Sequence, residues 1–340
     1  MPTIKDVARE AGVSIATVSY VLNKKDTFVS KETRRQVQET IERIGYTPNA
    51  TARNLKASRT RLIGYAWHEV PYNQVNPVLD RFTYYLAQAA EAAGYHVLTF
   101  THPTTDPLPV YDDLIRTQRV DAFVLAGTVR DDGRIRFLKE AEFPFVSFGR
   151  SNPDWDFPWV DTDGQQGVRE ATDYLISLGH RRIGMAGWPE ESISGSFRVQ
   201  GYLDALDAAG IPFQPEYLVR GEHSEQAGRD ALAYWCSQPL DEQPTAIVAI
   251  TDLVAIGIMN EAERRGLVVG RDLSVIGYDD VPMSQYLRPA LTTVQQPILE
   301  IGQALVSILE NVLHQRPISD GQVLIPPHLI IRDSCGVPSR

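Results

Sequence analysis

Between residues 61 and 280, short apolar runs alternate with longer stretches of helical periodicity. This alternation constrains the fold more than any other feature of the chain. LIGYAW (62–67), HVLTF (96–100), AFVLAG (122–127) and FPFVSFG (143–149) are strand-sized. Helical spacing fills the gaps over about 78–93 (stopped by Gly94), 112–119 and 135–140. The rhythm restarts at WVDTDGQQGVREATDYLISLGHRRIGMAG (159–187). It continues through a helix opening near Arg198, YLVRGE (217–222), a helix over 227–235, TAIVAI (245–250), a helix over 254–265, and LSVIGYDD (273–280). Strands separated by helices form parallel α/β sheets, because a parallel neighbour is reached only by a crossover. A pattern that starts twice predicts two doubly wound lobes, with a ligand cleft at the carboxyl ends of the strands.

The first 46 residues follow a different rule. Thr3 opens a helix with Asp6 as capping partner, and Ile4, Val7, Ala8 and Ala11 fall on one face. Gly12 ends that helix, and Ser14 caps a second running to about Leu22. Ser30 caps a third, 31–44, stopped by Gly45 and Pro48. Two short helices joined at a glycine, followed by a third, predict a helix-turn-helix head whose second helix enters the major groove. Charge is distributed to match. The chain carries −10 overall, yet residues 1–60 hold eleven lysines and arginines against six acids, a net +5, and the body carries −15. A basic head on an acidic body fits a small DNA-binding module attached to something that avoids DNA. A charged helix face that is merely solvated would give the same count.

These stretches together resemble one family. TIKDVAREAGVSIATVSYVLN (3–23) and VSKETRRQVQETIERIGYTPNATARNLKASRT (29–60) are similar to the head of the LacI/GalR transcription regulators, and later segments match in order along nearly the whole chain. The resemblance implies a periplasmic-binding-protein-like body of two α/β lobes. It implies a head over 1–46, a hinge over 47–60 and an effector-binding and dimerisation domain over 61–340. Lobe one is expected at about 61–161 and 294–322, and lobe two at about 162–291 and 323–340. LTTVQQP (291–297) is expected to cross back to the first lobe. The implied partners are double-stranded operator DNA, a second copy of the chain and a small-molecule effector. With no leucine heptads before the terminal VPSR, a dimer is expected rather than a tetramer.

For DNA, the candidates in the head are Thr3, Ser14, Ile15, Ala16, Thr17, Ser19, Tyr20 and Asn23. The hydroxyls suit phosphates. Tyr20, Ile15 and Ala16 depart from the polar residues and the Arg or His common in relatives, so base readout leans on thymine methyls rather than a bidentate arginine. In the hinge the candidates are Asn49, Ala52, Leu55 and Lys56. A helix over 49–56 is too short to be stable alone and is expected to order on DNA. The resemblance implies that Leu55 pairs with its dimer mate as a minor-groove wedge, with Lys56 beside it.

For the effector, Asp279 ends an apolar strand where a carboxylate can face the cleft, and Arg198 lies where a helix follows a loop. Both match ligand-binding positions of the family. Ser194, His223 and Thr251 match secondary pocket positions, Thr251 where relatives often carry Asn. Tyr72, Phe148 and Arg150 are candidate lining residues from the first lobe. An acid, a cation and aromatic neighbours suit a sugar or oligosaccharide. A purine-type corepressor is the alternative, and a solute-binding protein for transport the rival the body alone would fit.

Other functions lack their signatures. No GxGxxG opens a helix, there is no P-loop, GxSxG or HxxxH, and Asp279 and Asp280 alternate across a strand end, so no enzyme is expected. No cofactor or metal is implied, since Cys236 and Cys335 have no ligand spacing. No signal peptide or apolar run of membrane length is visible, which points to the cytoplasm and away from the membrane.

Overall fold

A computed structural model of the chain describes residues 2–22, 29–47, 59–67, 76–317 and 320–339. They fall into two compact units, Met1–Arg61 and Leu62–Arg340.

The first unit is built from α1 (Ile4–Glu10), α2 (Ile15–Leu22) and α3 (Lys31–Ile44). The Asp6 carboxylate accepts both the backbone N–H of Thr3 at 2.9 Å and its hydroxyl at 2.8 Å, closing the open end of α1. Gly12 takes φ +60 between α1 and α2, a conformation that disfavours any side chain. Ser14 Oγ accepts the N–H of Thr17 at 3.0 Å, and Ser30 Oγ that of Thr33 at 3.1 Å. Val7, Val18 and Val37, one from each helix, are fully buried together. Each stabilises the trio by roughly 1.5–3 kcal/mol of removed apolar surface.

The second unit holds two six-stranded sheets. The first contains β1 (Leu62–Ala66), β2 (His96–Phe100), β3 (Ala122–Leu125), β4 (Phe145–Phe148), β5 (Trp159–Thr162) and β11 (Gln322–Ile325). Its order is β11-β5-β4-β3-β1-β2, and every pair is parallel. The second contains β6 (Ile183–Gly187), β7 (Leu218–Arg220), β8 (Ala246–Ala249), β9 (Ser274–Asp279), β10 (Thr292–Gln295) and β12 (His328–Ile330), in the order β12-β10-β9-β8-β6-β7. Here β12 runs antiparallel to β10 and the other pairs are parallel.

Helices α4 (Pro77–Ala92), α5 (Leu108–Arg116), α6 (Gly133–Glu140) and α11 (Ile298–Leu313) flank the first sheet. Helices α7 (Gly164–Ser177), α8 (Ile193–Ala208), α9 (Glu225–Trp235) and α10 (Asp252–Arg264) flank the second. α7 and α8 approach backbone to backbone: a β-carbon on Gly201 would collide with the Gln165 carbonyl.

The structure departs from the sequence-based expectations at four places. The chain stays in the second sheet through Gln295, so the crossing falls at 296–297, inside the expected 291–297, and the returning segment of lobe one starts after it and not at about 294. It then stays in the first sheet through Ile325 and returns at 326–327, not at 323, because β11 pairs with β5 before β12 reaches β10. The helix expected over 112–119 is Leu108–Arg116. Arg198 does not open its helix: Ser192 caps α8 through the N–H of Gly195 at 3.1 Å, placing Arg198 well inside the helix.

Candidate functional site

The carboxyl ends of both sheets converge on a cavity of about 210 Å³ between the lobes. Gly127, Phe148, Gly149 and Asp161 reach it from the first sheet, and Trp188, Thr251 and Asp279 from the second. Gln296 reaches it from the crossing between them. This is where parallel α/β sheets bind ligands, since neighbouring strands there send their connections apart.

Asp279 is nearly sealed from solvent, 6% exposed. Its φ of +120 and that of Asp280, +49, place two consecutive non-glycine residues in left-handed backbone. Such strain persists only where surrounding contacts enforce it. The contacts here are specific. Asp280 is held by Arg332 at 2.6 Å and by the Gln295 amide at 2.7 Å, while Gln296 Nε2 donates to Asp279 Oδ1 at 2.7 Å. The two carboxylates therefore have separate partners, and Asp279 alone lines the cavity. Burial pushes the Asp279 carboxyl up to about 7, with nearby Arg198 acting in the opposite direction and Asp252 in the same one.

Arg198 is equally enclosed. Its Nη1 donates to the Ile250 carbonyl at 2.6 Å, and its guanidinium lies 3.6 Å from the Tyr278 ring centroid and 5.0 Å from that of Trp188. Stacking and the carbonyl fix the plane of the fork where Arg198 lines the cavity. The His223 ring centroid is 5.9 Å from that of Trp188. Burial, then the Arg198 charge, holds the His223 imidazolium below its ordinary range, so the ring is neutral at pH 7. Trp188 Nε1 is buried with no hydrogen-bond partner among the described residues.

Six of the eight effector candidates meet in this one cavity: Arg198, Asp279, Ser194, His223, Thr251 and Phe148. Thr251 also caps α10, its Oγ1 accepting the N–H of Val254 at 3.3 Å. Arg150 does not line it. Its Nε is bound to Asp161 at 2.8 Å and its guanidinium covers Phe197 at 3.6 Å, which holds it away from this cavity. Tyr72 lies outside the described residues. Sequence reasoning missed Asp161, Trp188 and Gln296. Trp188 follows an apolar strand as Asp279 ends one, which was the available signal; nothing local marks Gln296.

In the head, Ile15, Ala16 and Tyr20 are exposed along α2. The Ser14 and Thr17 hydroxyls are bonded to each other at 2.8 Å, and the Thr3 hydroxyl is bonded to Asp6. Ser19 is half-buried. Asn23, Asn49, Ala52, Leu55 and Lys56 lie outside the described residues. Among the described residues no helix is long and apolar enough to cross a membrane, and no cluster of side chains could hold a metal ion.

Comparison with known proteins agrees with both halves. Residues 3–49 match the model for bacterial regulatory proteins of the lacI family, and residues 172–335 that for a periplasmic binding protein-like domain. The transcriptional repressor CytR of Escherichia coli K12 is 33% identical over 335 residues, spanning 98% of this chain and 96% of CytR. The lac repressor dimer bound to operator and an anti-inducer is 26% identical, with TM-score 0.82 over 98% of this chain and 99% of that one. The transcriptional regulator CelR in complex with cellobiose is 29% identical, with TM-score 0.74 over 98% of this chain and all of that one. A basic helix-turn-helix head, two parallel-sheet lobes around a buried acid and arginine, and full-length relatives that repress transcription agree on one assignment: the chain belongs to the lacI family of bacterial regulatory proteins, and is a transcriptional regulator.

Proposed function

We propose that this chain is a cytoplasmic repressor that binds a palindromic operator as a homodimer and changes its DNA affinity when a neutral saccharide fills the cavity between its lobes. The observation that carries the reading is the convergence of Asp279 and Arg198 on one enclosed cavity beside Trp188, His223 and Phe148. A sugar hydroxyl donates and accepts at once, so it needs an acceptor and a fixed donor together; its C–H face needs an apolar wall. A carboxyl near its midpoint at neutral pH, a guanidinium held in plane, and an unpartnered indole N–H provide those groups. A purine would use the aromatic walls but has no hydroxyl pair for Asp279 and Arg198 to bind.

On the DNA side, Ile15, Ala16 and Tyr20 form the exposed stretch of α2. They suit apolar contact with thymine methyls and a single hydroxyl contact. Leu55 and Lys56 complete recognition from the hinge, as the family resemblance implies. Closure of the lobes on a ligand would reset the spacing of the two hinges in a dimer. In this reading the chain acts by binding and not by turnover, which its similarity to full-length transcriptional repressors supports.

The test is a thermal-shift screen with a sugar panel on the full chain, followed by operator gel shifts with each hit. A hit that stabilises wild type, shifts operator affinity and is not consumed supports the reading. Asp279→Ala should lose the response and keep operator binding. An unchanged response in that variant removes Asp279 from the site, and turnover of the sugar removes the non-catalytic assignment.

A further inference from the structure

A second cavity, about 510 Å³, lies on the other side of the Arg150 partition. It is the larger of the two and falls inside the ~300–1,000 Å³ range of small-molecule sites. Its walls come from both lobes. Trp155 and Trp159 belong to the segment around β5, while Phe197 and Gln200 project from α8 and Gln322 from β11. The first two turns of α8 serve both cavities in turn: Ser194 and Arg198 line the inner one, Ser196 and Phe197 the larger one. The wall between them is an ion pair. Arg150 lines the larger cavity, and its partner Asp161 lines the inner one.

We propose that this larger cavity is a second ligand site, which takes a ring of a neutral saccharide. The two indoles, Trp155 and Trp159, give apolar faces of the kind on which pyranose C–H groups stack; Phe197 has one face covered by Arg150 and adds apolar wall. Gln200 and Gln322 are exposed and line the cavity; the Gln200 amide donates one N–H to Asp204 at 2.7 Å and the Gln322 amide one to the Phe157 carbonyl at 3.4 Å, which leaves each a second N–H and its carbonyl oxygen for a vicinal diol. The Arg150 charge is already satisfied by Asp161 at 2.8 Å and by the Phe197 face, and the other lining cation, Arg130, is exposed to solvent, so the enclosed wall demands no anion. No carboxylate lines the cavity, which disfavours a cationic ligand.

The site is tested on the full chain by saturation-transfer NMR with cellobiose and, separately, maltose. Asp279→Ala disables the inner cavity. Ser196→Phe fills the larger one from a half-exposed helix position, and Trp155→Ala removes a stacking face; melting curves establish that each variant is folded. In the Asp279→Ala background at least one disaccharide should still bind. Adding Ser196→Phe or Trp155→Ala should weaken that binding by about ten-fold or more, as loss of an aromatic anchor does. Absence of binding in the Asp279→Ala background overturns the second site, and so does binding that neither added substitution moves. Either failure leaves the inner-cavity reading to be judged separately, by the operator response of Asp279→Ala alone.

Discussion

Gln296 donates from Nε2 to Oδ1 of Asp279 at 2.7 Å, and the same amide accepts the Thr162 hydroxyl at 2.8 Å. Thr162 ends the fifth strand of the first sheet, Asp279 ends β9 of the second, and Gln296 sits on the chain as it crosses between them. One side chain therefore couples the two lobes at the floor of the inner cavity and fixes the orientation of its acid. Farther out, Arg81 of the first lobe donates to the Asp280 carbonyl at 3.0 Å. The lobes are tied on both sides of Asp279.

Gln296→Leu keeps the volume and removes both hydrogen bonds. It leaves a buried hydroxyl and a buried carboxyl unsatisfied, so the body should lose roughly 2–4 kcal/mol of unfolding free energy. Urea denaturation of the variant and wild type, with m unchanged, measures this. A loss below about 1 kcal/mol would mean that water replaces the amide without cost.

Stability should depend on pH through the same residue. Burial holds Asp279 at about 7 and Asp252 at about 6, both above the ordinary carboxyl value of 3.8. The folded chain thus binds these protons more tightly than the unfolded chain. The stabilisation is complete below the ordinary carboxyl value and is lost as pH rises through 6 and then 7. The melting temperature of the ligand-free protein should fall between about pH 4 and 7 and level off above, and Asp279→Asn should flatten the upper part of that fall. Identical profiles for the two proteins would contradict the raised Asp279 value.

Arg198→Lys tests planarity rather than charge. An ammonium keeps the positive charge but gives up the stack on Tyr278 and the in-plane fork. Affinity for a stabilising sugar should fall about ten-fold or more, since stacked and carbonyl-bound arginines contribute on the order of 1–3 kcal/mol. Calorimetric titration with the best hit of the sugar screen reads the change directly. Wild-type affinity in the lysine variant would reduce Arg198 to a point charge.

Leu55→Ala should weaken specific operator binding and leave the melting temperature of the body and its sugar response unchanged, because a minor-groove wedge acts only on DNA. Gel shifts on operator and on non-specific duplex separate the effects. Equal affinities of variant and wild type for the operator would remove the wedge.

The head was legible in sequence because its signals are local. Thr3 with Asp6, Gly12, Ser14 and Ser30 lie within a few residues of the backbone groups they serve, and the structure uses each as a cap or turn. The α/β rhythm was legible for a related reason: strand and helix periods are read over windows of about ten residues. Asp279 and Arg198 stood out since one ends an apolar strand and the other sits in a polar loop-to-helix stretch.

Other features depended on pairings between distant positions. β11 joins the first sheet through β5, 163 residues earlier in register, and that pairing moved the last crossing from 323 to 326–327. Arg150 left the inner cavity since Asp161 and Phe197 hold it elsewhere, and Gln296 acquired its role from Thr162 and Asp279, 134 and 17 residues away. Residue order alone determined that this is a DNA-binding head on a two-lobed ligand-binding body, because caps, periodicity and charge act over short range. Only the tertiary structure decided which side chains share a cavity, because that depends on strand order and on hydrogen bonds between residues far apart in the chain.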